Sequence, residues 1–268
     1  VEWQEDERNY VVTTAPTSSV AADGNSNDAV SETFDYVVVA TGQLNIPSWP
    51  KIKGVGEFQP AVHTARWDEK LPFKGRRVGI IGTGPTSVQL VPELTKICSK
   101  VSLFQRSCSY CVARGDHAYS KWRQALFRYV PFSAKIYRWS IYVLAEISWF
   151  SLFPTRGKDK ISAMNKQQGK QFRANMRKQI LDAGGSEEKA TKVVPKPTDP
   201  VGCKRVLISD SYLQAIACDH VDVVTQPISH ITNEGVVTED NGDPTTTTLH
   251  EVDVLVYATG FQTTKFCD

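Results

Sequence analysis

The sequence predicts an α/β fold, and three observations carry that prediction. Residues 76–94 read RRVGIIGTGPTSVQLVPEL, an apolar strand run that enters a glycine-rich turn and leaves it as a helix. Two other apolar runs, VVVATG at 37–42 and VLVYATG at 254–260, end alike on small residues, as buried parallel strands can. Between them, residues 119–183 hold only Gly157 and Gly169 and are dense in Lys, Arg, Leu, Ile and aromatics, which predicts helices inserted into the α/β frame.

Taken in order, VEWQEDERNYVVTTA places apolar residues at Val1, Trp3, Tyr10 and Val12, the alternation of a strand and hairpin. Residues 18–33 are rich in Ser, Asn, Asp, Ala and Gly and read as an exposed loop. FDYVVVATG then reads as a continuous buried strand, and NIPSWPKIKGVG as a linker. From Gly75 the pattern becomes strand (VGIIG), glycine turn, helix (TSVQLVPELTKI) and strand (KVSLFQR), a βαβ unit. A turn-rich stretch at 182–205 precedes a helix, SYLQAIAC, and a strand, VDVVT. NEGVVTEDNGDPTTTT reads as a second polar loop, and VDVLVYATG as the last strand. The expected domains are 1–50, a 51–74 linker, 75–260 with its helical insertion at about 119–183, and a return at 261–268.

Composition limits what the chain can do. With 268 residues and 41% hydrophobic content it can bury a real core, and 31 Lys plus Arg against 29 Asp plus Glu gives no general field for nucleic acid or an acidic membrane, so any anion site must be local. Six cysteines without regular spacing, and no secretory pattern in VEWQEDERNY, argue for a reducing, cytoplasmic setting. The most apolar run, 136–153, carries Arg138 and Glu146, so it reads as a protein-buried or partly exposed helix; peripheral membrane contact is the alternative, and no transmembrane segment is expected. Oligomeric state is left open. His117, His220, His230 and His250 form no ligand-like grouping, so no metal is expected.

Gly82, Thr83, Gly84, Pro85, Thr86 and Ser87 stand where a dinucleotide's pyrophosphate would meet a helix N-terminus. Gly82 permits the tight turn and Gly84 the close backbone approach, while Ser87 replaces a third glycine whose role is helix-to-strand packing. After the second strand there is no acidic residue to bind a ribose hydroxyl; Arg106 and Ser107 stand there instead. A guanidinium fork suits the 2′-phosphate of NADP, against the plainer reading of a surface arginine.

The phrases VVVATGQLNIPSWPKIKGVGEF, HTARWDE, KGRRVGIIGTG and VSLFQRS resemble class B flavin-dependent monooxygenases, particularly the Baeyer-Villiger branch, and the resemblance runs over essentially the whole chain. It implies a two-dinucleotide-binding flavoprotein: a Rossmann-like NADP-binding module with a helical insertion, plus the C-terminal part of a FAD-binding module. In that family each module opens on a glycine loop and closes on ATG. Ala258, Thr259 and Gly260 would then close the module opened at Gly82, and Ala40, Thr41 and Gly42 a FAD module whose opening is expected upstream of Val1. The chain is therefore expected to be a fragment that binds FAD poorly on its own.

The branch fingerprint is matched by Phe58, His63, Trp67 and Asp68, although Pro60 stands in a glycine position and the gap from Phe58 to His63 is one residue short. The resemblance implies that these residues lie in a hinge region coupling nicotinamide binding to domain movement. In GCKRVLISD it implies that Lys204 holds the NADP phosphate and that Arg205 is the catalytic cation. The implied reaction uses FAD, NADPH and O2 to insert one oxygen beside the carbonyl of a hydrophobic ketone, such as a polyketide of secondary metabolism. Three alternatives stay open. They are N- or S-oxidation by the same architecture, an inactive NADP-binding fragment, and a disulfide reductase using Cys108 and Cys111, for which two packed, reduced thiols are the plainer reading.

Overall fold

A computed structural model describes residues 1–14, 29–40, 42–152, 163–240 and 243–264. The chain divides into two units, Val1–Ile46 with Gln262–Asp268, and Pro47–Phe261.

In the first unit, β1 (Glu2–Gln4), β2 (Asn9–Thr14) and β3 (Val30–Phe34) form an antiparallel sheet in that order. The alternation at its start is realised as cross-strand pairing: Trp3 faces Tyr10 with ring centroids 4.8 Å apart, and Tyr10 is in register with Phe34. Two sequence expectations change here. Residues 30–33, read as loop, belong to β3; most of the rest of that stretch lies outside the described residues. The run after it, read as a buried strand, leaves the ladder at Phe34, and Tyr36 and Val38 are each 88% exposed. A fully apolar strand needs neighbours on both edges and cover on both faces. Among the described residues of this unit, no strand pairs with it.

The second unit is built on a parallel sheet. Its strands are β4 (Ala61–His63), β5 (Arg77–Ile81), β6 (Lys100–Phe104), β9 (Val221–Val224) and β13 (Val254–Tyr257), in the order β4-β13-β5-β6-β9. The stretch expected as a linker, 51–74, thus supplies an edge strand. Helix α1 (Pro85–Thr95) crosses from β5 to β6 as the βαβ pattern requires. The two-residue β7 (Cys111–Val112) pairs with β8 (Leu207–Ile208), and helices occupy the span between them: α2 (Lys121–Tyr129), α3 (Ser133–Leu152), α4 (Ala163–Asp182) and α5 (Glu187–Val193). Helix α6 (Tyr212–Ala217) precedes β9.

Strand periodicity divides the core. Val78, Ile80, Val101, Leu103, Val221, Val223, Val254 and Val256 point to one face, where α1, α5 and α6 cover them, with α4 packed against α5 and α6. Ile81, Phe104, Val224, Leu255 and Tyr257 point to the other, where they meet Phe58, Ile231 and Val236. Those last two come from an antiparallel meander, β10 (Ile228–Thr232), β11 (Gly235–Asp240) and β12 (Asp243–Glu251), which replaces the polar loop expected at 233–248. The physical reason is that Val236 is buried in the cluster on the parallel sheet, where His250 of β12 packs on Phe104 and meets Thr238 Oγ1 at 2.9 Å, while Thr246, Thr247 and Thr248 on β12 are exposed. Arg77 fastens β5 to β13 through Asp253, with guanidinium and backbone N–H bonds of 2.7 and 2.8 Å, and holds that carboxyl below the usual carboxylate range. Helices α2 and α3 and the turn between them leave Trp122, Phe132, Ile136, Trp139 and Leu144 exposed, and among the described residues no helix is long and apolar enough to cross a membrane.

Candidate nucleotide and oxygenation site

The glycine loop sits at the C-terminal ends of β5, β6 and β13, where parallel sheets bind ligands. Gly82 takes φ +111°, and a Cβ there would lie 2.5 Å from the Ala258 carbonyl oxygen. Its N–H donates to Phe104 O at 3.1 Å, and Ala258 N–H donates to Ile81 O at 2.9 Å. The turn therefore binds three strand ends to one another. Gly84 is the N-cap of α1 in extended conformation, without a side-chain cap, and a Cβ built there meets nothing within 4 Å. The space in front of the helix N-terminus is open, its first N–H groups uncapped by side chains, and Pro85 spends no N–H there.

Ser87 is fully buried, and its Oγ donates to Gly82 O at 2.6 Å. The residue read as a tolerated packing substitute thus also latches the helix to the turn. Thr83 Oγ1 donates to Ser107 O at 3.2 Å, which carries the loop after β6 alongside the glycine turn. Arg106 and Ser107 are exposed at that loop's tip, and Thr86 is exposed on α1. Lys204 reaches the same loop from the other side, its Nζ donating to Cys108 O at 3.0 Å. Arg205 follows it, also exposed.

His63 is 1% exposed at the end of β4. Its Nδ1 accepts the Ala65 N–H at 3.1 Å, so the neutral ring carries its proton on Nε2, which lies 3.4 Å from Thr259 Oγ1. Thr259 in turn donates to Ser48 O at 2.5 Å, and Ser48 N–H donates to Gly260 O at 2.9 Å. Trp49 packs on both His63 and Tyr257, with centroids 5.2 Å apart in each case. Burial, reinforced by Arg66, lowers the pKa of His63, against the carbonyls of Ser48 and Gly260, which favour the charged form. The fingerprint histidine is thus a neutral clasp over the ATG turn. Phe58 is buried in the core beneath the meander, Trp67 stacks on Phe73 at 5.0 Å, and Asp68 Oδ1 accepts the Lys70 N–H at 2.9 Å. Pro60 fits the shortened linker, its carbonyl accepting Leu255 N–H at 3.1 Å.

Gly82–Ser87, Arg106, Ser107, Lys204 and Ala258–Gly260 are therefore connected through short bonded links, and His63 joins them through Thr259. Ala40 and Gly42 belong to the first unit, and Thr41 lies outside the described residues. Trp49, Gln105 and Asn165 were not singled out in the sequence, because a linker tryptophan and isolated amides carry no motif. Cys111 is buried, its thiol pushed up to about 11 by desolvation, and burial also raises Cys108 against the lowering effect of Lys204. Both stay protonated near neutrality, which disfavours a nucleophilic dithiol. Among the described residues no cluster could hold a metal ion.

The chain is similar to several known proteins. Residues 11–142 match the model of the flavin-binding monooxygenase-like family. The chain is 32% identical over 268 residues to the FAD-binding monooxygenase ktnD of Aspergillus niger, covering 98% of this chain and 40% of that protein. To a Baeyer-Villiger monooxygenase of Pseudomonas aeruginosa it is 33% identical over 232 residues, covering 85% and 40% respectively. The crystal structure of cyclohexanone monooxygenase from Rhodococcus sp. Phi1 bound to NADP+ superposes with a TM-score of 0.65 at 25% identity, covering 97% of this chain and 50% of that one. The chain thus spans about half or less of the length of these proteins.

Proposed function

We propose, for a chain whose residues 11–142 match the flavin-binding monooxygenase-like family, that it serves a FAD- and NADPH-dependent reaction inserting one oxygen of O2 beside a ketone carbonyl. Ketone, O2, NADPH and a proton then give ester or lactone, water and NADP+. One observation carries the coenzyme assignment: an open, uncapped helix N-terminus at Gly84 with two cations, Arg106 and Lys204, on the loops beside it. The names of relatives, a FAD-binding and a Baeyer-Villiger monooxygenase, and a structural neighbour bound to NADP+, support the rest.

The residues fit NADP. The N–H groups at the start of α1 donate to the pyrophosphate, and the positive end of an 11-residue helix favours its charge. Arg106 and Ser107 would hold the 2′-phosphate, and Lys204 would add a second cation. FAD, when bound, supplies the oxygen-activating chemistry. Ala40, Thr41 and Gly42 are its contacts in this chain by resemblance, and the described part of the first unit, an antiparallel sheet without a helix, offers no helix N-terminus for its pyrophosphate. Arg205 keeps a permanent charge beside Lys204, suited to stabilising negative charge as oxygen is transferred. Ala258, Thr259 and Gly260 would form the floor of the coenzyme site, which His63 reaches through Thr259; Phe58, Trp67 and Asp68 belong by resemblance to the hinge that couples nicotinamide binding to domain movement.

Supplying the protein with FAD, NADPH and either a hydrophobic cyclic ketone or a thioether, and identifying products by mass spectrometry, tests this reading. Lactone is expected; sulfoxide alone points to heteroatom oxidation, and NADP+ binding without oxidation of either points to a binding module. The pair Lys204–Arg205 together with Trp67-Asp68 favours the ketone. Exposed Trp122, Phe132 and Trp139 beside Arg128, Lys135 and Arg138 also fit peripheral contact with anionic lipid. Co-sedimentation with phosphatidylglycerol vesicles but not phosphatidylcholine vesicles is the expected result.

A further inference from the structure

We infer that two buried carboxamides, Gln105 and Asn165, are positioning residues that set Arg106 and Lys204 as the two arms of one phosphate clamp, and so determine preference for NADP over NAD. The inference rests on the coenzyme assignment above. Buried polar side chains cost desolvation and persist where their bonds fix a geometry. Gln105 is 4% exposed and Asn165 1% exposed; Gln105 ties the start of the loop bearing Arg106 to the Lys192 carbonyl of α5 and to the Cys108 sulfur, and Asn165 bonds the Val201 main chain of the loop bearing Lys204.

Gln105 ends the buried run of β6. Its Nε2 donates to Lys192 O at 2.7 Å, near the end of α5, and to Cys108 Sγ at 3.1 Å. Cys108 Sγ donates to the same Lys192 carbonyl at 3.2 Å. One carbonyl therefore pins both feet of the 105–108 turn, and the two residues at its tip are Arg106 and Ser107. Thr83 holds that tip beside the glycine loop through Ser107 O.

Asn165 acts on the opposite loop. From α4 its Nδ2 donates to Val201 O at 2.8 Å while its Oδ1 accepts Val201 N–H at 3.1 Å, a closed two-bond ring three residues before Lys204. That loop contains Pro195, Pro197 and Pro200 and has no helix or strand between α5 and β8, so its course depends on such side chains. Tyr110 adds a second tie, its hydroxyl donating to Asp199 O at 2.7 Å and accepting from Arg173 Nη1 at 2.8 Å. Lys204 then closes the circuit on Cys108 O. The anchors lie below the loops, and the exposed cations lie at their tips.

Calorimetric titration of NADP+ and NAD+ into the wild-type chain, Gln105→Met and Asn165→Leu tests this. Each variant should weaken NADP+ about tenfold, the worth of one charge-assisted bond, and leave NAD+ within about twofold. In an Arg106→Ala background, Gln105→Met should weaken NADP+ no further. Equal weakening of both coenzymes, or full additivity with Arg106→Ala, would overturn the inference. Where an amide variant does not fold, Tyr110→Phe removes one hydroxyl and carries the same expectation in smaller size. A wild-type chain without NADP+ preference removes the coenzyme assignment as well; a preference that survives all three variants removes this inference alone.

Discussion

Gly82 answers to two constraints at once, a positive φ and the Ala258 carbonyl 2.5 Å from where a Cβ would stand. Gly82→Ala should therefore lower unfolding free energy by at least about 1–3 kcal/mol, measured by urea titration, because the nearby atom is backbone and cannot swing away. His63 gives a prediction in pH. Its folded pKa lies below the ordinary 6.5, so the unfolded chain binds the proton more readily, and stability falls as pH drops below about 6.5. The melting temperature of the wild type should decline on acidification more steeply than that of His63→Asn, with His250, also lowered by burial, keeping part of the slope in both. Much at this scale was legible in the sequence. The glycine loop, Ser87 and the Arg106 position follow from spacing along one chain segment. Gln105 and Asn165 were not legible, since their partners Lys192 and Val201 stand 87 and 36 residues away and nothing local marks them.

Strands and helices with a single dominant period were read well. β5, α1, β6, α6, β9 and β13 all stand where apolar runs and helical spacing put them. The meander β10–β12 was missed because its turns and its outward face are polar, so Asn233, Gly235 and the threonines dominate the local composition while Ile231 and Val236 report the side packed on the parallel sheet. The run 36–40 failed in the opposite direction: apolar content marks a strand that expects neighbours, and it cannot say whether the neighbours are in the same unit. Packing makes the central strand decisive. Leu255→Ala, at a fully buried site on β13, should cost about 2–5 kcal/mol, whereas Thr247→Ala on exposed β12 should stay within about 0.5 kcal/mol, both by chemical denaturation.

At the scale of the second unit, a parallel sheet with helices on one face and an antiparallel meander on the other places the glycine turn, Arg106, Ser107 and Ala258–Gly260 just past the ends of β5, β6 and β13, while Lys204 comes from the loop between α5 and β8. In the proposed reading the βαβ unit would supply the pyrophosphate cradle; the helical insertion supplies, through α4, the bonds from Asn165 to the loop bearing Lys204 and Arg205. The central claim is that the second unit recognises the phosphate that separates NADP from NAD. Isothermal titration of NADP+ and NAD+ against the chain and its Arg106→Ala variant tests it most directly. At least about a tenfold preference for NADP+ is expected in the wild type, collapsing toward parity in the variant; equal affinities in the wild type, or a preference unchanged by the substitution, would contradict it.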